Sequence, residues 1–63
     1  MKLNPPVRIT TVEMTKQGFM TRNQTVETDS ALQRAIGKIE NNPRVTFLEA
    51  KQGGVRLYGW GER

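Results

Sequence analysis

Residues 48–54 read LEAKQGG, and residues 12–18 read VEMTKQG. The echo extends backwards: RITTVEMTKQG from Arg8 lies over RVTFLEAKQG from Arg44, with one additional residue in the first copy. In each copy β-branched residues crowd before a polar, glycine-bearing turn, and apolar residues resume after it, which is the local chemistry of a β-hairpin. Glycine at the turn takes positive φ without a Cβ clash, as a short hairpin loop needs. The repeat is read as two hairpins.

Register follows from the choice of turn. A turn at Gln52-Gly53 sets Ala50 opposite Val55, Glu49 opposite Arg56, Leu48 opposite Leu57, Phe47 opposite Tyr58 and Val45 opposite Trp60. The analogous turn at Gln17-Gly18 sets Glu13 opposite Arg22, Ile9 opposite Val26 and Arg8 opposite Glu27. Each copy then faces its glutamate with an arginine, a pairing that contributes about 0.2–1 kcal/mol across an antiparallel ladder.

Between the hairpins, Leu32, Ala35, Ile36 and Ile39 recur at the i, i+3, i+4, i+7 spacing of one helix face. Thr28, Asp29 or Ser30 supplies an N-cap, and Asn41-Asn42 before Pro43 supplies the stop. Gly37 weakens such a helix by roughly 1 kcal/mol relative to alanine unless close packing requires it. The order hairpin, helix, hairpin predicts an α+β domain of ββαββ layout with a single four-stranded antiparallel sheet over residues 7–63, preceded by an extended N-terminal arm over residues 1–6 that carries Pro5 and Pro6. Strand order within the sheet is not readable from the sequence.

Alternation along the strands then sorts side chains onto two faces. In this register the helix stripe covers Val12, Met14, Leu48, Ala50, Val55 and Leu57. The other face carries Val7, Ile9, Val26, Val45, Phe47, Tyr58 and Trp60, with Glu13, Arg22, Glu49 and Arg56 along it. A helix of about thirteen residues is ~20 Å long and ~10 Å wide, so it shields one side of a small sheet and not both. An open apolar patch marks an interface, and the expected interface consists of Ile9, Val26, Val45, Phe47, Tyr58 and Trp60.

Composition narrows what meets that face. A chain of 63 residues holds one small core, with 35% apolar residues, and it has no cysteine and no histidine. Disulfides, thiolate metal sites and imidazole ligands are therefore excluded, which leaves association as the staple a domain of this size calls on. The expectation is a homodimer with no metal and no cofactor. No apolar run is long enough for a membrane helix and the first residues, MKLNPPVRIT, lack the apolar core of a secretory signal, so the expected location is cytoplasmic.

Without Cys or His no nucleophile with its base can be assembled, and the glycines form no phosphate-cradling motif. The expectation is a protein that is not an enzyme. Ten Lys and Arg against six Asp and Glu give a formal charge of +4 and a pI near 10.1, a balance that favours anionic partners. No ribonucleoprotein signature, GxxG clamp or pair of helices for helix-turn-helix binding is present, so any nucleic-acid contact falls to strands and hairpins.

Candidate contacts are Lys16 and Lys51 at equivalent hairpin tips, Arg34 and Lys38 one turn apart on the helix, and Arg44. The row Arg56, Tyr58 and Trp60 in VRLYGWGER adds a guanidinium and two rings suited to stacking on bases. The function expected is a small nucleic-acid-binding protein of regulatory type. The alternative is a protein-binding inhibitor or adaptor acting through the apolar sheet face, since Tyr, Trp and Arg also dominate protein interfaces.

Overall fold

The computed structural model describes residues 2–62; residues 1 and 63, at the ends of the expected arm and domain, lie outside them. The elements run β1 (Lys2–Thr15), β2 (Gly18–Thr28), α1 (Asp29–Glu40), β3 (Val45–Gln52) and β4 (Val55–Gly61). All four strands form one antiparallel sheet in the order β2-β1-β3-β4. This is the expected ββαββ, α+β layout. No helix among the described residues is long and apolar enough to cross a membrane.

The turns differ from the expected ones, and the difference propagates. In the first hairpin Thr15 pairs with Gly18, so Lys16 and Gln17 make the loop. Thr15 closes it with its hydroxyl, which donates to the Gly18 carbonyl at 2.7 Å and accepts from the Gln17 N–H at 3.2 Å. In the second, Gln52 pairs with Val55 around Gly53 and Gly54. These two have φ of 57° and 83°, and positive φ at both central residues is what the favoured two-residue hairpin loop requires.

Each turn slides its hairpin by two residues from the expected register, and a slide of two preserves which face a side chain takes. Arg8 now opposes Thr25, Ile9 opposes Gln24, Glu13 opposes Met20 and Arg22 opposes Thr11, so neither Glu13–Arg22 nor Arg8–Glu27 is a cross-strand pair. In β4 one further event inverts the faces. Lys51 pairs with Arg56 but Ala50 pairs with Tyr58, leaving Leu57 as an extra residue. A bulge of this kind shifts everything beyond it by one. Tyr58 and Trp60 thus stand with Ala50 and Leu48, not with Phe47 and Val45.

The helix-covered face follows. Val7, Ile9, Val26, Leu48 and Ala50 pack beneath Leu32 as the core, with Ala31, Ala35, Ile36, Ile39 and Trp60 against it. Val7, Ile9, Leu48 and Ala50 have no exposed surface. Thr28 caps α1, accepting from the Ala31 N–H at 3.1 Å, while Asp29 in the first turn and Lys38 in the last complement the helix dipole. At the other end the Asn41 N–H reaches Gly37 O and the Asn42 N–H reaches Ile39 O.

Residues 2–6, expected as an arm, run as the start of β1. Lys2 pairs with Thr28, Leu3 packs against the core, and Gln52 donates its side-chain amide to the Pro5 carbonyl at 2.8 Å. The segment thereby ties the helix entry to the tip of the second hairpin.

Candidate functional site

Because β1 and β3 are antiparallel neighbours, the two hairpin tips point to opposite ends of the sheet. Lys16 is eight residues along β1 from Arg8, the partner of Lys51, which is about 27 Å of strand. Lys16 and Lys51 are therefore not an equivalent pair of tips. Lys16 lines a shallow depression with Arg44, Pro43, Met14, Thr15 and Thr46 at one end. Lys51 lies within β3 at the other.

The remaining expected residues part in the same way. Tyr58 and Trp60 sit on the helix side, where the Tyr58 hydroxyl donates to Glu40 Oε2 and the Trp60 indole N–H donates to the same oxygen at 3.1 Å. The Tyr58 pKa is raised, first by the hydrogen bond to the Glu40 carboxylate, then by desolvation of the phenol and by the charge of Glu40. Ile9 and Val26 are core residues under α1, and Val45, moved to the helix side by a register shift between Val12 and Glu13, is half-buried. Of the expected interface only Phe47 faces away from the helix, paired with Val12, and both are buried. The apolar sheet face on which a dimer or protein partner was expected to dock is thus the face that α1 already covers.

The uncovered face carries a different pattern. Arg8 in β1 pairs with Lys51 in β3, which pairs with Arg56 in β4. Arg8 lies between the fully buried Val7 and Ile9, and Lys51 follows the fully buried Ala50, so alternation sends these cations to the side opposite the helix. Three positive side chains, all exposed, stand side by side in one row across three strands spaced about 4.8 Å apart. Like charges directly opposed destabilise a sheet by a few tenths to about 1 kcal/mol per pair.

One carboxylate offsets part of this. Glu49, in the next row of the same face, lies 3.6 Å from Lys51 Nζ and 3.8 Å from Arg56 Nε. The two cations are exposed and Glu49 is half-buried, and solvent-accessible pairs of this kind contribute about 0.2–1 kcal/mol. Arg8 has no ion pair among the described residues. Gly59, the partner of Glu49 in β4, explains how Arg56 reaches it. A Cβ at Gly59 would stand 2.7 Å from Arg56 Nη2 and 2.6 Å from the Leu48 carbonyl oxygen, so the guanidinium lies across bare backbone.

Further along the face come Thr10, whose hydroxyl bonds Asn23 Oδ1 at 2.8 Å, then the buried Val12 and Phe47, and finally Met14 paired with Phe19. Phe19 is 69% exposed and Met14 51%. The open face therefore grades from a cationic row at one end to an exposed aromatic ring about 20 Å away.

On the helix side, α1 begins directly after β2 and ends with Glu40 bonded to β4, so it crosses the sheet obliquely. The corner of β1 and β2 near the first hairpin stays open as a groove of about 720 Å³, where Arg34 and Lys38 of the helix meet Arg22 of the strand. Arg8 and Arg22 were missed as site residues because the expected register spent both on glutamates. The alternation Val7-Arg8-Ile9 is the signal that exposes Arg8. No family model, curated protein or solved structure matches this chain.

Proposed function

We propose that this chain is a small non-enzymatic protein that binds single-stranded nucleic acid on its open sheet face, with Arg8, Lys51 and Arg56 on the phosphate backbone. The observation that carries the reading is the row of three adjacent cations, of which Lys51 and Arg56 share Glu49 and Arg8 has no ion pair among the described residues, on the sheet face opposite α1. Such a row costs folding stability, and a polyanion laid along it converts the cost into affinity by releasing counterions.

Shape favours a single strand over a duplex. The outer strands of the sheet are about 14 Å apart before side chains are added, wider than the ~12 Å major groove, which admits a helix or a two-stranded ribbon. A single strand crossing the face meets cations first, then the Thr10–Asn23 pair, then the exposed ring of Phe19 as a platform on which a base stacks.

The test is the salt dependence of binding to a single-stranded oligonucleotide, followed by fluorescence anisotropy of the labelled strand. Three phosphate contacts predict a slope of log K against log salt near −2, which is roughly a 20-fold loss from 50 to 200 mM. Each single change, such as Arg8→Gln, reduces the slope by about 0.7, and the variant Arg8→Gln/Lys51→Gln/Arg56→Gln abolishes binding. A triple variant that binds like the parent chain contradicts the reading.

A further inference from the structure

The groove between α1 and β2 lies on the opposite side of the sheet from the cation row and is independent of it. Three features describe its chemistry. Arg34 and Lys38 project from one wall and Arg22 from the other, and none of the three has an ion-pair partner among the described residues. The carboxylate in the groove, Glu13, is held by the side-chain amide of Asn42 at 3.2 Å. Val26, Ala35 and Ile39 supply an apolar lining beside the charges.

The charge within the groove is therefore three cations against one carboxylate. A phosphomonoester carries about −1.5 to −2 at neutral pH and matches that excess. An arginine fork grips its oxygens in a bidentate way, whereas lysine adds a point charge. The volume of about 720 Å³ falls in the range of small-ligand sites, where an apolar lining holds the body of the ligand and a few polar groups orient it.

We infer that this groove binds a phosphomonoester on a small apolar or aromatic body, with the phosphate between Arg22, Arg34 and Lys38 and the body against Val26, Ala35 and Ile39. Gln24, also in the lining, offers an amide to polar edges of that body. The same chemistry is offered by a free nucleoside monophosphate and by the 5′-phosphorylated end of a nucleic-acid strand.

The experiment titrates the ¹⁵N-labelled chain with adenosine monophosphate and with adenosine, reading amide and arginine side-chain shifts. The expected result is saturable shifts confined to α1 and β2, with the monophosphate bound at least about tenfold more tightly than adenosine, a difference of ~1.4 kcal/mol. Arg34→Gln/Lys38→Gln, at exposed helix positions, weakens the monophosphate by about tenfold or more, and Arg22→Gln does so from the other wall. The outer-face variant Arg8→Gln/Lys51→Gln/Arg56→Gln leaves that affinity within about twofold.

Comparing a 5′-phosphorylated dinucleotide with its 5′-hydroxyl form then separates the two sources. Tighter binding of the phosphorylated form assigns the strand end, and exclusion of both assigns the free nucleotide. Equal affinity for adenosine and its monophosphate, shifts that map to the outer row, or no saturable shift up to about 10 mM overturns the inference.

Discussion

Gly37 sits in the middle of α1, and a methyl group at this position would meet no atom within 4 Å. No packing reason for glycine exists there, so its backbone entropy cost remains without compensation. Gly37→Ala is expected to stabilise the fold by about 1 kcal/mol, raising Tm by roughly 4–8 °C for a domain of this size. Thermal unfolding followed by circular dichroism checks this, and an unchanged or lowered Tm contradicts the open environment. Gly53 and Gly54 teach a different lesson at the same scale. Adjacent glycines between two apolar strands are a stronger turn signal than Gln52-Gly53, because both loop positions need positive φ. That part of the register was legible in the sequence. The bulge at Leu57 was not, since a strand residue left without a partner differs in no local property from one that has a partner. A single unpaired residue is enough to send Tyr58 and Trp60 to the other side of the sheet.

The repeat that opens the chain is an echo of two hairpins and not of two equivalent faces. Glu13 stands on the helix side, bonded to Asn42, while Glu49 stands on the open side between Lys51 and Arg56. Hairpin existence, helix position and the Thr28 cap are local properties, and the sequence carried them. Which face each hairpin turns to the helix depends on how β1 docks on β3, a contact between distant segments for which periodicity holds no record. The helix is fastened at its far end by Glu40, which takes hydrogen bonds from both Tyr58 and Trp60. These are the sole tyrosine and tryptophan of the chain, so the clasp can be followed directly. Tyr58 is expected to ionise above the ordinary phenol value of about 10 because Glu40 favours its neutral form. Its pKa is raised on folding, so its contribution to stability is complete below the unfolded value and is lost as pH rises through the folded one. Difference absorbance of the phenolate measures this pKa. Glu40→Gln is expected to lower it and to alter Trp60 fluorescence, and an unchanged titration in that variant contradicts the clasp.

Taken as a whole, the molecule has one sheet with two unlike sides. Val7, Ile9, Val26, Leu48 and Ala50 are buried under one helix, and the other side carries the cation row, hydroxyls and bare glycine at one end and the apolar Val12, Phe47, Met14 and Phe19 toward the other. The excess of positive charge is a property of composition, whereas its distribution over the two faces depends on register. Lys51 and Arg56 are legible as candidates from their local sequence, and Arg8 joins them only through the pairing of β1 with β3. The proposed function requires that open side to be the surface that meets a polyanion. The most direct measurement is an amide chemical-shift map of the ¹⁵N-labelled chain at low salt with a single-stranded oligonucleotide carrying a 5′-hydroxyl. The largest shifts are expected at Arg8, Lys51 and Arg56, with smaller ones at Thr10 and Phe19 and none at Arg34 or Lys38. Shifts centred on the helix, or no shifts at all, would contradict it.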